Sequence, residues 1–137
     1  MAPKFGIFVP QGWRQDLNDF TDPVAAFEAM IDVAKAADEG EWDSIWVYDH
    51  FHTVPEPTQN PTFECWTTSA ALARETSRAQ VGQMVGCNGY RQPSLYAKTA
   101  STVDVMSGGR LLAGQQPAVL AASDLRPQVG DQQPDPG

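Results

Sequence analysis

The sequence predicts an α/β fold built from a parallel sheet of about four strands and three helices. Short apolar runs with aromatic and β-branched residues alternate with segments whose apolar residues recur every three or four positions. Most of the runs are apolar throughout, which is typical of strands that are covered on both faces. The resulting order, βαβαβαβ, favours parallel strands that are joined by right-handed helical crossovers.

The first strand is predicted at residues 5–10, an apolar run that ends at a proline. Asp22 and Pro23 then form a helix start, because a carboxylate caps the first turn and proline suits the first helical position. One apolar face follows at helical spacing, formed by Val24, Phe27, Ile31 and Ala34. Gly40 is suited to end the helix, which is therefore predicted at residues 23–39.

The remaining elements are read in the same way. They are a strand at 44–48, a helix at 63–76, a strand at 81–86, a helix from Pro93 to the Gly108–Gly109 pair, and a strand at 110–114. Trp46 on the second strand and Trp66 on the second helix are predicted to face one another in the core.

Two architectures share this order of elements: an open doubly wound sheet and a closed eight-stranded barrel. The turn after the first strand reads Pro-Gln-Gly-Trp at residues 10–13 and lacks the GxGxxG pattern that cradles a pyrophosphate. This argues against a dinucleotide-binding domain, but it does not by itself establish a barrel.

Composition narrows the class of protein. The chain has 137 residues and a formal net charge of −8, so it suits a single domain that repels nucleic acid and anionic membranes. The sequence shows neither a membrane-spanning run nor a secretory signal, and we expect a cytoplasmic protein. Cys65 and Cys87 fit no zinc or CxxC spacing, so small buried thiols are the favoured interpretation.

The last part of the chain differs in composition from the rest. Every Trp, Tyr and Phe lies at or before Tyr96, whereas residues 115–137 are rich in Pro and Gln. Such a segment can bury little apolar surface. We therefore predict a folded domain at residues 1–114 and a disordered tail at residues 115–137.

Asp49 and His50 directly follow the second predicted strand, and in both architectures function lies at the C-terminal ends of the strands. Histidine suits proton transfer near neutral pH. The alternative is a loop in which Asp49 caps the backbone and His50 is a packed or solvated ring, and the residues alone favour neither.

His50 and His52 also resemble a pair of metal ligands, as in hydrolases. The other strand ends offer no further His or carboxylate, however, so no metal site is predicted.

The segment from Met84 to Asn88 follows the third strand, and its glycine and small side chains would let a flat ligand approach the backbone. Taken alone, an ordinary buried strand and turn explain it better. Arg91 is explained either as an anion-binding residue at the start of the third helix or, more simply, as a surface residue.

Several of these segments together resemble the luciferase-like monooxygenase superfamily, most closely its members that use the deazaflavin coenzyme F420. The resemblance rests on residues 5–10, 42–51, 90–93 and 99–110, and it extends from about Lys4 to Gly114. It implies a partial (β/α)8 TIM barrel, with strand order 1-2-3-4 and the helices on the convex face. After Gly114 the chain departs from the family pattern, so we expect it to lack the later βα units that hold the phosphate-bearing tail of the cofactor.

The resemblance also implies roles for individual residues. His50 is the expected catalytic residue, and the expected cofactor-binding residues are Asp49, Met84, Val85 and Asn88, with a non-proline cis peptide at Met84–Val85. The implied activity is hydride transfer or monooxygenation of a small-molecule substrate, with F420 as the cofactor and FMN as the alternative.

We expect this activity to be impaired by truncation. One alternative is a non-catalytic barrel fragment that self-associates as a homodimer through its unpaired strand edges. A weaker alternative is a metal-dependent hydrolase.

Overall fold

A computed structural model of the chain describes residues 2–116, and these contain the α/β architecture that the sequence predicts. Three helices alternate with short strands. The elements are β1 (Gly6–Phe8), α1 (Pro23–Glu39), β2 (Ser44–Val47), α2 (Cys65–Glu75), β3 (Gln80–Gln83), β4 (Gly86–Cys87), α3 (Pro93–Ser107), β5 (Leu111–Leu112) and β6 (Gln115–Gln116).

The main sheet is parallel throughout and has the strand order β1-β2-β3-β5. In its register, Ile7 lies opposite Ile45, and Ile45 lies opposite Val81. The predicted order of the four strands along the sheet is therefore confirmed. A second small sheet pairs β4 with β6, again in parallel.

Two predicted strands differ from those in the structure. The strand expected at residues 81–86 is split into β3 and β4 on either side of a cis Met84–Val85 peptide bond. The strand expected at residues 110–114 is shortened to β5, and β6 follows it at Gln115–Gln116. The first two residues of the predicted tail, Gln115 and Gln116, form β6. The rest of that predicted tail, residues 117–137, lies outside the described residues.

One face of the sheet packs against the helices and forms the core. Ile45, Val47 and Val81 point to this face and are fully buried with Met30 of α1 and Leu72 of α2. A second cluster joins α2, α3 and β5, formed by Trp66, Ala73 and Val103 with the partly buried Tyr96 and Leu111. Because Leu111 lies opposite Val81 in the register, the third helix covers the same face as the first two.

The helix ends follow the local chemistry of the sequence. Oδ1 of Asp22 accepts a hydrogen bond from the N–H of Val24 at 3.0 Å, as predicted for the start of α1. Oε2 of Glu64 accepts from the N–H of Thr67 at 2.7 Å, so α2 begins at Cys65. Gly108 ends α3 in the left-handed conformation, with φ of 67°. None of the helices in residues 2–116 is both long and apolar enough to cross a bilayer.

The opposite, concave face of the sheet carries large side chains that none of the three helices in residues 2–116 covers. Trp46 crosses this face, and its Nε1 donates to Oγ of Ser44 at 2.8 Å. A Cβ atom on Gly82 would lie 2.7 Å from Cζ3 of Trp46, so only glycine allows the ring to rest there. Trp66 lies on the helical side, where its ring meets Tyr96 edge to face. The predicted packing of Trp46 against Trp66 is therefore wrong.

Candidate active site

The C-terminal edge of the sheet gathers aromatic side chains from the ends of β1 and β2. Phe8 and Tyr48 stack with parallel rings 4.3 Å apart. Trp13, in the loop after β1, contacts Tyr48 at 4.4 Å and stacks on His50 at 4.0 Å with an interplanar angle of 2°. We call these four residues, Phe8, Trp13, Tyr48 and His50, the aromatic wall. It holds the imidazole of His50 in a defined orientation at the edge of the concave face.

Two residues of this region, Gln11 and Trp13, were not predicted as site residues. Gln11 is buried, and its Nε2 donates to the carbonyl of Phe63 at 2.7 Å and also to the backbone of Tyr48. Trp13 was expected only as part of a polar loop. A tryptophan and a glutamine directly after a strand end are the signal that was available, because loops at this edge carry the functional groups of such sheets.

Asp49 lies next to His50 but points beneath the surface. Its Oδ1 and Oδ2 accept from Nη2 and Nη1 of Arg91 at 2.9 and 2.5 Å, and Oδ2 also accepts from the N–H of Cys87 at 2.8 Å. The Asp49 side chain is 1% exposed. The geometry therefore argues against the predicted direct contact between Asp49 and a cofactor, because both oxygens are committed to protein donors.

Both predictions for Arg91 are wrong, because this residue is neither on the surface nor a vacant anion site. Its guanidinium also forms an ion pair with Glu64 at the start of α2. Burial opposes the charged form, but the hydrogen bonds from Arg91 to Asp49 and Glu64 outweigh burial and raise the pKa of Arg91. Burial likewise opposes ionisation of Glu64, yet backbone donors at the helix start and Arg91 lower its pKa. Arg91 and Glu64 are therefore both charged at neutral pH.

The Met84–Val85 bond is cis, as the resemblance implied. The N–H of Met84 donates to the carbonyl of Val47 at 3.0 Å, which places this bond beside the end of β2. The side chains of Met84 and Val85 are exposed, at 47% and 38%. Asn88, the third predicted contact of this segment, is also exposed. Together they form an accessible edge next to the segment that carries His50.

These residues fit the ring of a flavin or deazaflavin. A flat heteroaromatic ring needs an apolar surface for one face and polar groups at its rim. The exposed Met84–Val85 edge supplies the former, and His50 and Asn88 supply polar groups at the same end of the sheet. Of the predicted site residues, Met84, Val85 and Asn88 are exposed, and His50 is half-buried.

The alternative of a metal site receives no support from the described part of the chain. His50 stacks on Trp13, whereas His52 is exposed and its Nδ1 lies 3.1 Å from the carbonyl oxygen of Thr53. No group of three His, Cys, Asp or Glu side chains in residues 2–116 is arranged to hold a metal ion. The two histidines therefore do not act as a ligand pair in this arrangement.

Comparison with known proteins gives the family. A family model for luciferase-like monooxygenases matches residues 3–114. A curated relative, the F420-dependent glucose-6-phosphate dehydrogenase of Amycolatopsis mediterranei (strain U-32), is 33% identical over 89 residues, which cover 62% of this chain and 26% of that protein.

Solved structures share the fold. The FMN complex of the oxygenating constituent of 3,6-diketocamphane monooxygenase from Pseudomonas putida has a TM-score of 0.68 and 19% identity, over 89% of this chain and 31% of that one. Monooxygenase RslO1 from Streptomyces bottropensis has a TM-score of 0.65 and 26% identity, over 88% and 35%. Coenzyme F420-dependent tetrahydromethanopterin reductase from Methanopyrus kandleri has a TM-score of 0.61 and 22% identity, over 84% and 27%.

The chain thus spans between about a quarter and a third of the length of the relatives it matches. The predicted fold class, a partial barrel with parallel strands and outer helices, is confirmed. The family model matches well over half of the chain. The chain belongs to the luciferase-like monooxygenase family.

Proposed function

We propose that this chain forms one side of a flavin-type cofactor site in an oxidoreductase, with coenzyme F420 as the preferred cofactor and FMN as the alternative. The observation that carries the proposal is the accessible cis Met84–Val85 edge beside the His50 segment at the C-terminal end of the sheet. When bound, the deazaflavin or flavin would accept or donate a hydride, or react with oxygen, while the protein positions the substrate.

The names of the relatives support this choice of cofactor. The relative with 33% identity is an F420-dependent dehydrogenase, and the reductase from Methanopyrus kandleri also depends on F420. The Pseudomonas putida protein was solved with FMN, which supports the alternative. A small organic molecule is the substrate class that follows from either cofactor.

Each residue of the site then has a defined task. His50, oriented by the stack on Trp13, would hold or transfer a proton at the reacting atoms through its imidazole. Met84 and Val85 offer the apolar edge behind the cofactor ring, and Asn88 offers an amide to its rim. Asp49 stays beneath this surface and acts on the site only through the backbone that it anchors.

Arg91, which lies beneath this edge, is already paired with Asp49 and Glu64, and the chain has a net charge of −8, which disfavours an anionic cofactor tail. Each solvent-exposed polar contact between the protein and the cofactor ring contributes only about 0.5–1.5 kcal/mol to the binding free energy. We therefore expect the chain by itself to bind the deazaflavin more weakly than micromolar.

The test is a fluorescence titration of the deazaflavin, and of FMN in parallel, with the wild type, His50→Ala and the matched control His52→Ala. Weak saturable binding that is lost in His50→Ala and kept in His52→Ala supports the proposal. Equal affinity of the wild type and His50→Ala contradicts the role of His50. Micromolar binding contradicts the argument that this chain carries only part of a site.

A second candidate function is self-association into a homodimer, and the concave face favours it. Among residues 2–116 the outer edges of β1 and β5 pair with no further strand. Phe8 lies opposite Trp46 in the register, so both side chains lie on this uncovered face, and Phe8 is 37% exposed. Two copies would supply eight main-sheet strands, the number that closes this type of barrel.

Sedimentation equilibrium tests the dimer directly. The proposal expects a species of twice the chain mass of 14.9 kDa at micromolar concentration. Phe8→Lys should dissociate it, whereas Val33→Lys on the outer surface of α1 should not, because that side chain lies on the helical side. A wild-type chain that remains monomeric throughout would contradict the proposal.

A further inference from the structure

We propose that Asp49 and Arg91 form a buried positioning pair that fixes the His50 segment relative to the Met84–Asn88 segment. The pair lies between the end of β2 and the loop before α3, beneath the proposed cofactor edge. The inference rests on the proposed function for its purpose, but the geometry of the pair stands without it.

The pair is bidentate and shielded from water. Two parallel hydrogen bonds join the carboxylate of Asp49 to the guanidinium of Arg91, and the two side chains are 1% and 11% exposed. A planar fork matched to a carboxylate allows little rotation of either group. A lysine would keep the charge of Arg91 but would lose this fixed geometry.

Both partners are attached to the predicted site segments. Asp49 directly precedes His50, so its position sets the backbone from which the imidazole projects. Oδ2 of Asp49 also accepts from the N–H of Cys87, the residue before Asn88. One carboxylate therefore holds the starting points of two proposed cofactor contacts.

The hydrogen bond to Cys87 replaces a missing strand pairing. β4 pairs with β6 on one side, where the N–H of Gly86 donates to the carbonyl of Gly114 at 3.0 Å. The N–H of Cys87 points to the other side, where β2 has already ended at Val47. Asp49 supplies the acceptor that a neighbouring strand would otherwise provide, so the segment after the cis bond depends on this carboxylate.

Glu64 extends the connection to the helical layer. It caps α2 through the N–H of Thr67 and forms an ion pair with Arg91 at the same time. Arg91 is thus held by two carboxylates from different elements. Because the guanidinium binds the carboxylates of both Asp49 and Glu64, it links the position of the proposed cofactor edge to the start of α2.

The test uses Asp49→Asn and Arg91→Lys in the full chain, with Glu75→Gln as a matched control. Glu75 forms an ion pair with Lys35 at 2.8 Å, but both side chains are about half exposed, at 46% and 44%. NMR measures amide exchange at Cys87 and at Val81, together with the imidazole resonances of His50. The N–H of Val81, in the main sheet, donates to the carbonyl of Arg110, so its exchange rate reports on global opening.

The proposal expects exchange at Cys87 to accelerate at least tenfold more than exchange at Val81 in Asp49→Asn, with shifted His50 resonances. Arg91→Lys should show the same pattern to a smaller extent, and Glu75→Gln should show neither change. Equal acceleration at Cys87 and Val81 would mean that the pair serves only overall stability. If Asp49→Asn does not fold, Arg91→Lys decides, and unchanged Cys87 exchange in that variant overturns the proposal.

Cofactor titration separates this inference from the proposed function. If the wild type binds the deazaflavin or FMN, Asp49→Asn should weaken that binding about tenfold, although the side chain at this position touches no ligand. If the wild type binds neither cofactor, the proposed function fails, while the exchange data still confirm or overturn the positioning role.

Discussion

The side-chain amide of Gln11 is hydrogen-bonded to both backbone groups of Tyr48. Its Nε2 donates to the carbonyl at 2.8 Å, and its Oε1 accepts from the N–H at 2.6 Å. Two residues earlier, the N–H of Val9 donates to the carbonyl of Trp46 in the ordinary parallel pattern. The backbone N–H of Gln11 donates instead to Oδ2 of Asp16. The side chain of Gln11 therefore takes the place of its backbone in the pairing with Tyr48.

This replacement explains how β2 is held at the point where β1 has ended. Pro10 interrupts the strand because it has no N–H to donate. The amide of Gln11 is only 1% exposed, and it bridges the end of β2 to the carbonyl of Phe63 as well. The segment that carries His50 therefore starts from a fixed backbone position.

We predict that Gln11→Leu destabilises the chain by about 2–4 kcal/mol, because it leaves three buried or partly buried backbone groups without a partner. Urea unfolding measures the loss as a lower midpoint with an unchanged slope. Gln92→Leu is the control, since Gln92 is exposed and makes no side-chain cap hydrogen bond. A Gln11→Leu midpoint that matches the control would contradict the prediction.

The main elements of the fold could be predicted because their causes are local. The apolar runs, the Asp22–Pro23 helix start and the glycine pair after α3 each act within a few residues. The strand order follows from the alternation of strands and helices together with the family resemblance. The division of the third predicted strand and the short bounds of the fourth were not predicted, because short apolar runs do not show where pairing changes from one neighbour to another.

The contacts of the candidate site could not be predicted in the same way. Asp49 and Arg91 are 42 positions apart, and nothing in the local sequence indicates that they meet. The stack of Trp13 on His50 likewise depends on how the loop after β1 folds back over β2. The cis Met84–Val85 bond was expected only through the family resemblance, since neither residue favours it.

The two cysteines should differ in reactivity. Cys65 is fully buried in the core, where burial raises the pKa of its thiol, whereas Cys87 is only half-buried at the site edge. We predict that a thiol reagent at pH 8 modifies Cys87 on the order of a hundredfold faster than Cys65. Cys87→Ser should remove the fast phase. A single rate for both thiols in the folded chain would contradict the packing described for Cys65.

Asp38 should contribute stability that depends on pH. Burial opposes its ionisation, but the N–H groups of Ala79, Ser77 and Arg78 and the hydroxyl of Ser77 outweigh burial and lower its pKa from 3.8 to about 2. A carboxyl whose pKa is lower in the folded state stabilises the fold above its unfolded pKa, and this contribution is lost as the pH falls.

We therefore predict that the stabilisation from Asp38 is complete above about pH 4 and disappears as the pH falls from 3.8 to about 2. Asp38→Asn should flatten the acid limb of the curve of unfolding free energy against pH. Asp19→Asn, a change in an exposed side chain of the loop before α1, is the control. An acid limb that is as steep in Asp38→Asn as in the wild type would show that other carboxyls account for it.

Two arginines perform the same structural task at the ends of the first two helices. Arg78 donates to the carbonyls of Ala37 and Asp38 in the last turn of α1 and to those of Gly40 and Trp42 just after it. Arg110 donates to the carbonyls of Ala73, Thr76, Ala79 and Ser107 and to the hydroxyl of Thr76. A cation at a helix C-terminus satisfies carbonyls that have no partner within the helix and interacts favourably with the helix dipole.

The difference between the two arginines is their exposure, and it sets the size of the effect. Arg110 is partly buried, so the carbonyls that it leaves behind cannot all be reached by water, whereas Arg78 is exposed. We predict a loss of about 3 kcal/mol for Arg110→Met and about 1 kcal/mol for Arg78→Met in urea unfolding. Arg74→Met, on the exposed side of α2, should change stability least. If Arg78→Met costs as much as Arg110→Met, the exposure of the carbonyls does not determine the loss.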